Sequence, residues 1–280
     1  MKIEFAIKKA FLDLKQKNIK TPLLDSEILM SKVLKKDRSN VLLNSDKIIS
    51  NKDYKLFRKL ISSRLRNKPI AYLTGEKSFW KYEFDVNDKV LIPRPETELI
   101  IEQVLKIYKN KSNISFLEVG VGSGCIILSI LDERKNFYGT GIDLSKKCVN
   151  LSNRNADKIG VSNRVKFLKS DIDNFKNGKY DLIVSNPPYI KHANLKMLQK
   201  DVVNFEPKLA LDGGFDGLSV IRKVTLKASE LIKKNGVFAL EFGFDQKKRV
   251  KNILINKGFY INKVLKDYAN NDRCIISTKL

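Results

Sequence analysis

Hydrophobic and polar positions change period along this chain, and the changes divide it. Through residues 1–78 apolar residues recur at helical spacing. Phe5 and Leu12 flank Lys8-Lys9 in one amphipathic stretch, and 25–34 forms a second behind the Thr21-Pro22 start signal. A third covers 53–65, with Tyr54, Phe57, Leu60, Ile61 and Leu65 on one face. The period then drops to two. Residues 79–86 alternate like a strand, Asn87-Asp88 supplies a turn and 90–92 returns, which predicts a β-hairpin linker over 79–92. Pro93-Arg94-Pro95 is a stiff joint before a helix over 96–108.

From there strands and helices take turns. Strands are expected at 114–119, 138–143, 165–168, 180–185, 236–242, 259–264 and 274–277, with helices over 144–159, 218–234 and 246–256. That order predicts a doubly wound, mainly parallel sheet over 93–280. Only the short stretch 266–272 separates the last two expected strands near the chain's end. That is too short for a helical crossover, so the last two strands form an antiparallel hairpin.

The apolar run Leu182-Ile183-Val184 leads into Asn186-Pro187-Pro188-Tyr189. Prolines carry no N–H, so a loop of this composition at the rim of a sheet is rich in hydrogen-bond acceptors. It suits holding a planar –NH2 group by its hydrogens, whether of adenine, cytosine or a glutamine side chain, and N-methylation is the chemistry that needs this. A plain Pro-rich turn closing a strand is the ordinary alternative.

A second site supports the chemical reading. Glu118-Val119-Gly120-Val121-Gly122-Ser123-Gly124 follows one expected strand and precedes a helix-like stretch over 125–131. Strand, glycine turn and helix form the nucleotide-binding corner of open α/β sheets. No Lys-Ser/Thr follows, which excludes a P-loop. The next strand ends in Asp143, placed to accept hydrogen bonds from both hydroxyls of a ribose or, alternatively, to cap the following helix. Asp171, after the strand at 165–168, is the expected neighbour of an adenine ring. Together these loops describe an adenosyl pocket.

Composition adjusts this picture in two places. With 280 residues, 42% hydrophobic and 30% charged, the chain has the make-up of a soluble globular protein, and no run of about 18 apolar residues offers a membrane span. Cys125, Cys148 and Cys274 are scattered and His192 is the sole histidine, which argues against zinc or a disulfide framework and fits a reducing cytoplasm. The net charge is +23; residues 1–78 hold 19 Lys and Arg against 8 Asp and Glu, leaving 35 against 23 for the rest. Such density suggests an acidic partner. Lysine is abundant everywhere, however, and its pairs lack interleaved aromatics, which favours coding bias over a nucleic-acid groove.

These segments closely resemble the peptide-chain release factor glutamine-N5 methyltransferases. The resemblance runs from about residue 65 onward through Lys68-Pro69-Ile70-Ala71-Tyr72, Leu91-Ile92-Pro93-Arg94-Pro95-Glu96-Thr97-Glu98, the glycine turn, Ser185 and the Asn-Pro-Pro-Tyr loop, Glu206-Pro207, and Glu241 with Gly243 and Gln246. It implies a class I S-adenosylmethionine-dependent methyltransferase fold, α/β with a seven-stranded doubly wound sheet, and a small N-terminal helical domain over 1–78 that docks substrate. It also implies transfer of a methyl group to the glutamine of the Gly-Gly-Gln motif in class I release factors. By the same resemblance Gly120, Val121, Gly122, Ser123, Gly124, Asp143 and Asn186 hold S-adenosylmethionine and Ile172 borders its adenine. Asn186, Pro187, Pro188 and Tyr189 hold the glutamine, with the Asn186 side-chain oxygen and the Pro187 carbonyl accepting its N–H bonds, and Pro188 and Tyr189 walling its aliphatic stem. Three positions depart from the family pattern: Glu118 replaces an aspartate, Val121 a threonine, and Ile172 a residue that is often aromatic.

Two rivals follow from the same residues. An adenine-N6 methyltransferase on DNA or RNA uses the same acceptor loop, but no stretch here is long enough for a separate target-recognition domain. A non-catalytic RNA-binding protein on a decayed methyltransferase fold is countered by the intact glycine turn, Asp143 and acceptor loop.

Overall fold

The computed structural model describes all 280 residues and divides them into two compact units. The first comprises Met1–Glu76 joined by Gln199–Phe205. Its helices are α1 (Ile3–Gln16), α2 (Pro22–Leu34), α3 (Arg38–Leu43), α4 (Asn51–Leu65) and α5 (Ile70–Thr74). The expected face of α4 holds, with Phe57 and Ile61 fully buried, and α2 buries Leu29 and Met30 against it. The expected face of α1 does not. Phe5 and Leu12 are about half exposed, and the helix buries Ile3, Ala6, Ile7, Ala10 and Leu14 instead. Two alanines on that stripe allow close helix approach, a signal that a count of large side chains overlooks. Asp25 accepts from Thr21 Oγ1 at 2.8 Å and from Arg64 Nε at 2.7 Å, a buried pair that ties α2 to α4.

The second unit comprises Lys77–Leu198 and Glu206–Leu280. A hairpin is present at its start, but shifted: β1 (Glu76–Phe79) pairs with β2 (Tyr82–Asp85) around Trp80, whose φ is +55°. The Trp80 backbone N–H donates to Glu98 and its indole N–H to Glu133, both at 2.8 Å, which holds this left-handed turn. Residues 90–92 are therefore not a returning strand. The Asn155 side chain occupies both the N–H and the C=O of Asp85, at 2.9 and 3.1 Å, and Asn87 forms only a local turn onto Lys89.

All seven strands of the expected sheet are found. After α6 (Glu98–Ile107) come β3 (Ser115–Val119), α7 (Cys125–Glu133), β4 (Tyr138–Asp143), α8 (Lys146–Ile159), β5 (Val165–Lys169) and β6 (Tyr180–Ser185). The short α9 (Lys200–Phe205) belongs to the first unit. Then follow α10 (Ser219–Leu231), β7 (Ile232–Glu241), α11 (Lys247–Ile255), β8 (Phe259–Lys266) and β9 (Asp272–Lys279). The strand order is β5-β4-β3-β6-β7-β9-β8, with β9 antiparallel to both neighbours and every other pair parallel. The chain moves outward from β3 to β5 and then returns to place β6 on β3's other side, so a crevice opens above this reversal. Register finishes the placement. Val119 lies opposite both Ile142 and Ser185, and Ser185 opposite Leu240, so Gly120, Asp143, Asn186 and Glu241 all emerge at one end of the sheet. No helix of the structure is long and apolar enough to cross a membrane.

Candidate active site

That end of the sheet carries a cavity of about 370 Å³. One wall is the glycine corner. Gly120 and Gly122 line it at φ +79° and +55°, and nothing lies within 4 Å of where a side chain would sit on either, so their backbones stand open to an occupant. Gly122 N–H donates to Asp143 Oδ2 at 3.1 Å, and Ser145 N–H donates to Asp143 Oδ1 at 2.8 Å. Each carboxylate oxygen has a second lone pair for a ligand hydroxyl, so Asp143 can both brace its loop and bind. Burial raises its pKa, opposed by those two N–H bonds. Leu144 and Ile172 add apolar surface. Glycine backbone, one carboxylate and flanking apolar groups fit an adenosyl ligand.

Not every residue of the glycine turn reaches the cavity. Val121 packs into the core against the bare face of Gly141, where any added Cβ would lie 2.6 Å from its Cγ1. Ser123 is buried and its carbonyl accepts from Asn155 Nδ2, and Gly124 lies against Leu128 and Ser152 of the helices behind. Glu118 is buried beneath the turn, with Oε2 accepting from Ile127 N–H in the first turn of α7. Burial drives its pKa well up. Asp171 caps the short turn Ile172–Asn174 by accepting from Asp173 N–H, so Ser170 and Ile172 line the cavity in its place.

Beside the glycine corner, at the end of the neighbouring strand β6, stands the acceptor loop. Asn186, Pro187 and Pro188 line it, together with Pro207, Leu209 and Ala210. Ser185 Oγ donates to Val119 O at 2.8 Å and fastens the loop's root to the glycine corner. Asn186 Nδ2 donates to Thr97 Oγ1 at 3.0 Å, which leaves Asn186 Oδ1 as an unengaged acceptor. Tyr189 does not join the lining; its hydroxyl donates to Glu241 Oε1 at 3.2 Å, and burial pushes its pKa far up. Its carbonyl accepts from Gln246 Nε2 at 2.8 Å, and the same nitrogen donates to Gly217 O at 3.1 Å. Gln246 Oε1 meanwhile accepts from Gly243 N–H, so a single buried side chain joins three loops. Glu206 accepts from the Arg94 guanidinium and from Ile92 N–H, pinning the Ile92-Pro93-Arg94-Pro95 segment. His192 projects into solvent with Nδ1 2.6 Å from Asp212 Oδ2, consistent with a solvated loop residue rather than a base.

Thr97, Gln246 and Glu206 thus belong to the site without having been assigned roles from sequence. Their polar types beside buried runs were visible, but their distance along the chain concealed the contacts.

Comparison with known proteins agrees with this geometry. The family model for the methyltransferase small domain matches residues 95–241, and the PrmC N-terminal domain model matches residues 6–75. The release factor glutamine methyltransferase of Clostridium acetobutylicum is 36% identical over 282 residues, spanning 100% of this chain and 99% of its own. That of Caulobacter vibrioides is 33% identical over 267 residues, covering 95% and 92%. Among solved structures, a methyltransferase from Pyrococcus furiosus superposes with a TM-score of 0.55 at 20% identity, over 78% of this chain and 96% of its own, which shows the fold.

Proposed function

The chain belongs to the release factor glutamine methyltransferases, and from that premise we propose how its cavity performs the reaction. It is an S-adenosylmethionine-dependent protein-glutamine methyltransferase acting on release factors. The substrate proposed is the glutamine of the Gly-Gly-Gln motif in class I factors, methylated at N5 in the cytoplasm, with the basic helical unit docking the protein.

One observation carries the site assignment: the glycine corner and the acceptor loop line the same cavity. S-adenosylmethionine supplies an electrophilic methyl group on a sulfonium, so no metal is needed to activate it. Gly120 and Gly122 hold the adenosyl moiety through their backbone, Asp143 binds the ribose diol, and Leu144 and Ile172 flank the base. An amide nitrogen is a weak nucleophile because its lone pair is delocalised into the carbonyl. Asn186 Oδ1 and the Pro187 carbonyl accept the two amide N–H bonds, which favours a pyramidal, electron-rich nitrogen as charge develops. Pro188 borders the stem of the glutamine, and the loop would present its nitrogen toward the cofactor side of the cavity. When bound, S-adenosylmethionine would supply the methyl to the nitrogen's lone pair and leave with the electrons of the broken C–S bond, and the glutamine nitrogen would then lose its extra proton to water.

The experiment is transfer of tritiated methyl groups to purified release factor, DNA and RNA in parallel. Label is expected on the release factor glutamine alone. Label on adenine would favour the nucleic-acid reading, and no label on any of the three would leave a binding protein.

A further inference from the structure

Glu241 ends β7 with its carboxylate almost sealed from solvent, and methyl transfer as described leaves it without a task. We propose that Thr97 and Glu241 are positioning residues that hold the Asn186 amide with Oδ1, not Nδ2, toward the substrate. This rests on the reading of Asn186 as the acceptor of the glutamine N–H.

The argument is one of proton directions. A threonine hydroxyl has one proton to give and two lone pairs. Thr97 Oγ1 donates that proton to Glu241 Oε2 at 2.7 Å, and an ionised carboxylate can only accept. Thr97 can therefore only accept from Asn186, and the donors of an amide sit on its nitrogen. Nδ2 at 3.0 Å from Thr97 leaves Oδ1 on the other end. The two ends of an amide are nearly the same size, so packing alone does not choose between them. The second oxygen of Glu241 accepts from Tyr189, the last residue of the acceptor loop, so the carboxylate anchors both ends of the tetrapeptide.

The same chain of bonds makes the orientation depend on pH. Arg273 of β9 and Glu96, beside Thr97, act on Glu241 together with Tyr189, and the thiols of Cys125 and Cys274 lie within its field. Burial lifts Glu241 to about 7, against the bonds from Thr97 and Tyr189 and the charge of Arg273. Above that pH the carboxylate is ionised and the amide is locked. Below it, a protonated Glu241 donates to Thr97, whose own proton is then free to face Asn186 Oδ1. The amide turns round, and the substrate meets two N–H groups where it needs an acceptor.

The test measures kcat of the full chain on release factor at saturating S-adenosylmethionine, on both sides of neutrality. The wild type is expected to lose kcat as pH falls through about 7. Glu241→Gln, which cannot titrate, loses that acid limb: its carbonyl still accepts from Thr97 while its amide donates to the Tyr189 oxygen. Thr97→Val lowers kcat about tenfold, the scale of one lost buried hydrogen bond, with cofactor affinity unchanged by calorimetry. Thr97→Ser restores it. A Thr97→Val enzyme at wild-type kcat, or an acid limb unchanged in Glu241→Gln, overturns the proposal. Asn186→Ala, assayed alongside, separates the two readings. If it is inactive while the Thr97 and Glu241 variants behave as wild type, only this inference fails; if it turns over normally, the assignment of Asn186 fails.

Discussion

At the glycine corner, Gly120, Gly122 and Asp143 lie in one passage of strand, turn, helix and strand, and two of the three present backbone rather than side chains. At the acceptor corner, Asn186 and Tyr189 depend on Thr97, Glu241 and Gln246, which come from two other stretches of chain and act through side-chain hydrogen bonds. The difference fits what each corner is proposed to hold. A diol and a purine are bound by fixed, generic groups that a tight turn can provide. An amide nitrogen must be told apart from its own carbonyl and aimed, which requires side chains whose donor and acceptor ends are themselves fixed.

Four experiments test this contrast. The largest effect belongs to Asn186→Ala. Removing one acceptor that strengthens in the transition state typically costs about 2.7–4 kcal/mol, so kcat should fall by roughly 10²–10³ while cofactor affinity stays within a few-fold. Single-turnover kinetics beside calorimetry checks both halves, and a near-normal kcat would remove Asn186 from its role. Asp143→Ala reverses the pattern. Loss of charge-assisted bonds to the ribose, about 1.5–3 kcal/mol, raises the cofactor Kd roughly 10–100-fold and spares kcat at saturation. Unchanged affinity in a titration would reduce Asp143 to a brace for Gly122 and Ser145.

Gln246→Ala probes the support rather than the contact. It leaves the buried carbonyls of Tyr189 and Gly217 short of a donor, and about 1–3 kcal/mol of stability should be lost, visible as a lower urea midpoint. Cofactor affinity should not move; if it does, the two corners are not separable. The smallest effect concerns charge. If the basic helical unit steers an acidic factor, kcat/KM for intact release factor falls as salt rises past roughly 0.1 M, where the Debye length is about 10 Å, while a short Gly-Gly-Gln peptide responds less. A flat response for both assigns the lysine excess to coding bias.

The same contrast explains how much was legible beforehand. The seven strands and the glycine turn were readable because period and turn chemistry are local properties. The loop at Asn186 stood out because two prolines after an apolar run strip the strand's end of N–H donors. Thr97 and Glu241 lay within the matched segments, but nothing in their spacing says that one hydroxyl joins them to Asn186 from 89 residues away. Val121, Ser123 and Tyr189 stand off the cavity lining, since proximity in sequence to a lining residue does not decide which face of a turn a side chain takes. The hairpin was misplaced because alternation over 79–86 does not reveal that Asn155 would occupy the backbone of Asp85.

The strand order has one more consequence, for solubility. It leaves β5 and β8 as the two open edges of the sheet, and an open edge invites pairing with another copy of the same chain. Lys166 and Lys169 stand exposed on β5, and Lys263 and Lys266 on β8. A second copy approaching either edge would bring like charges across the new ladder, which disfavours that association. Part of the lysine excess therefore has work to do even where no partner is steered, in keeping each molecule of this enzyme apart from the next.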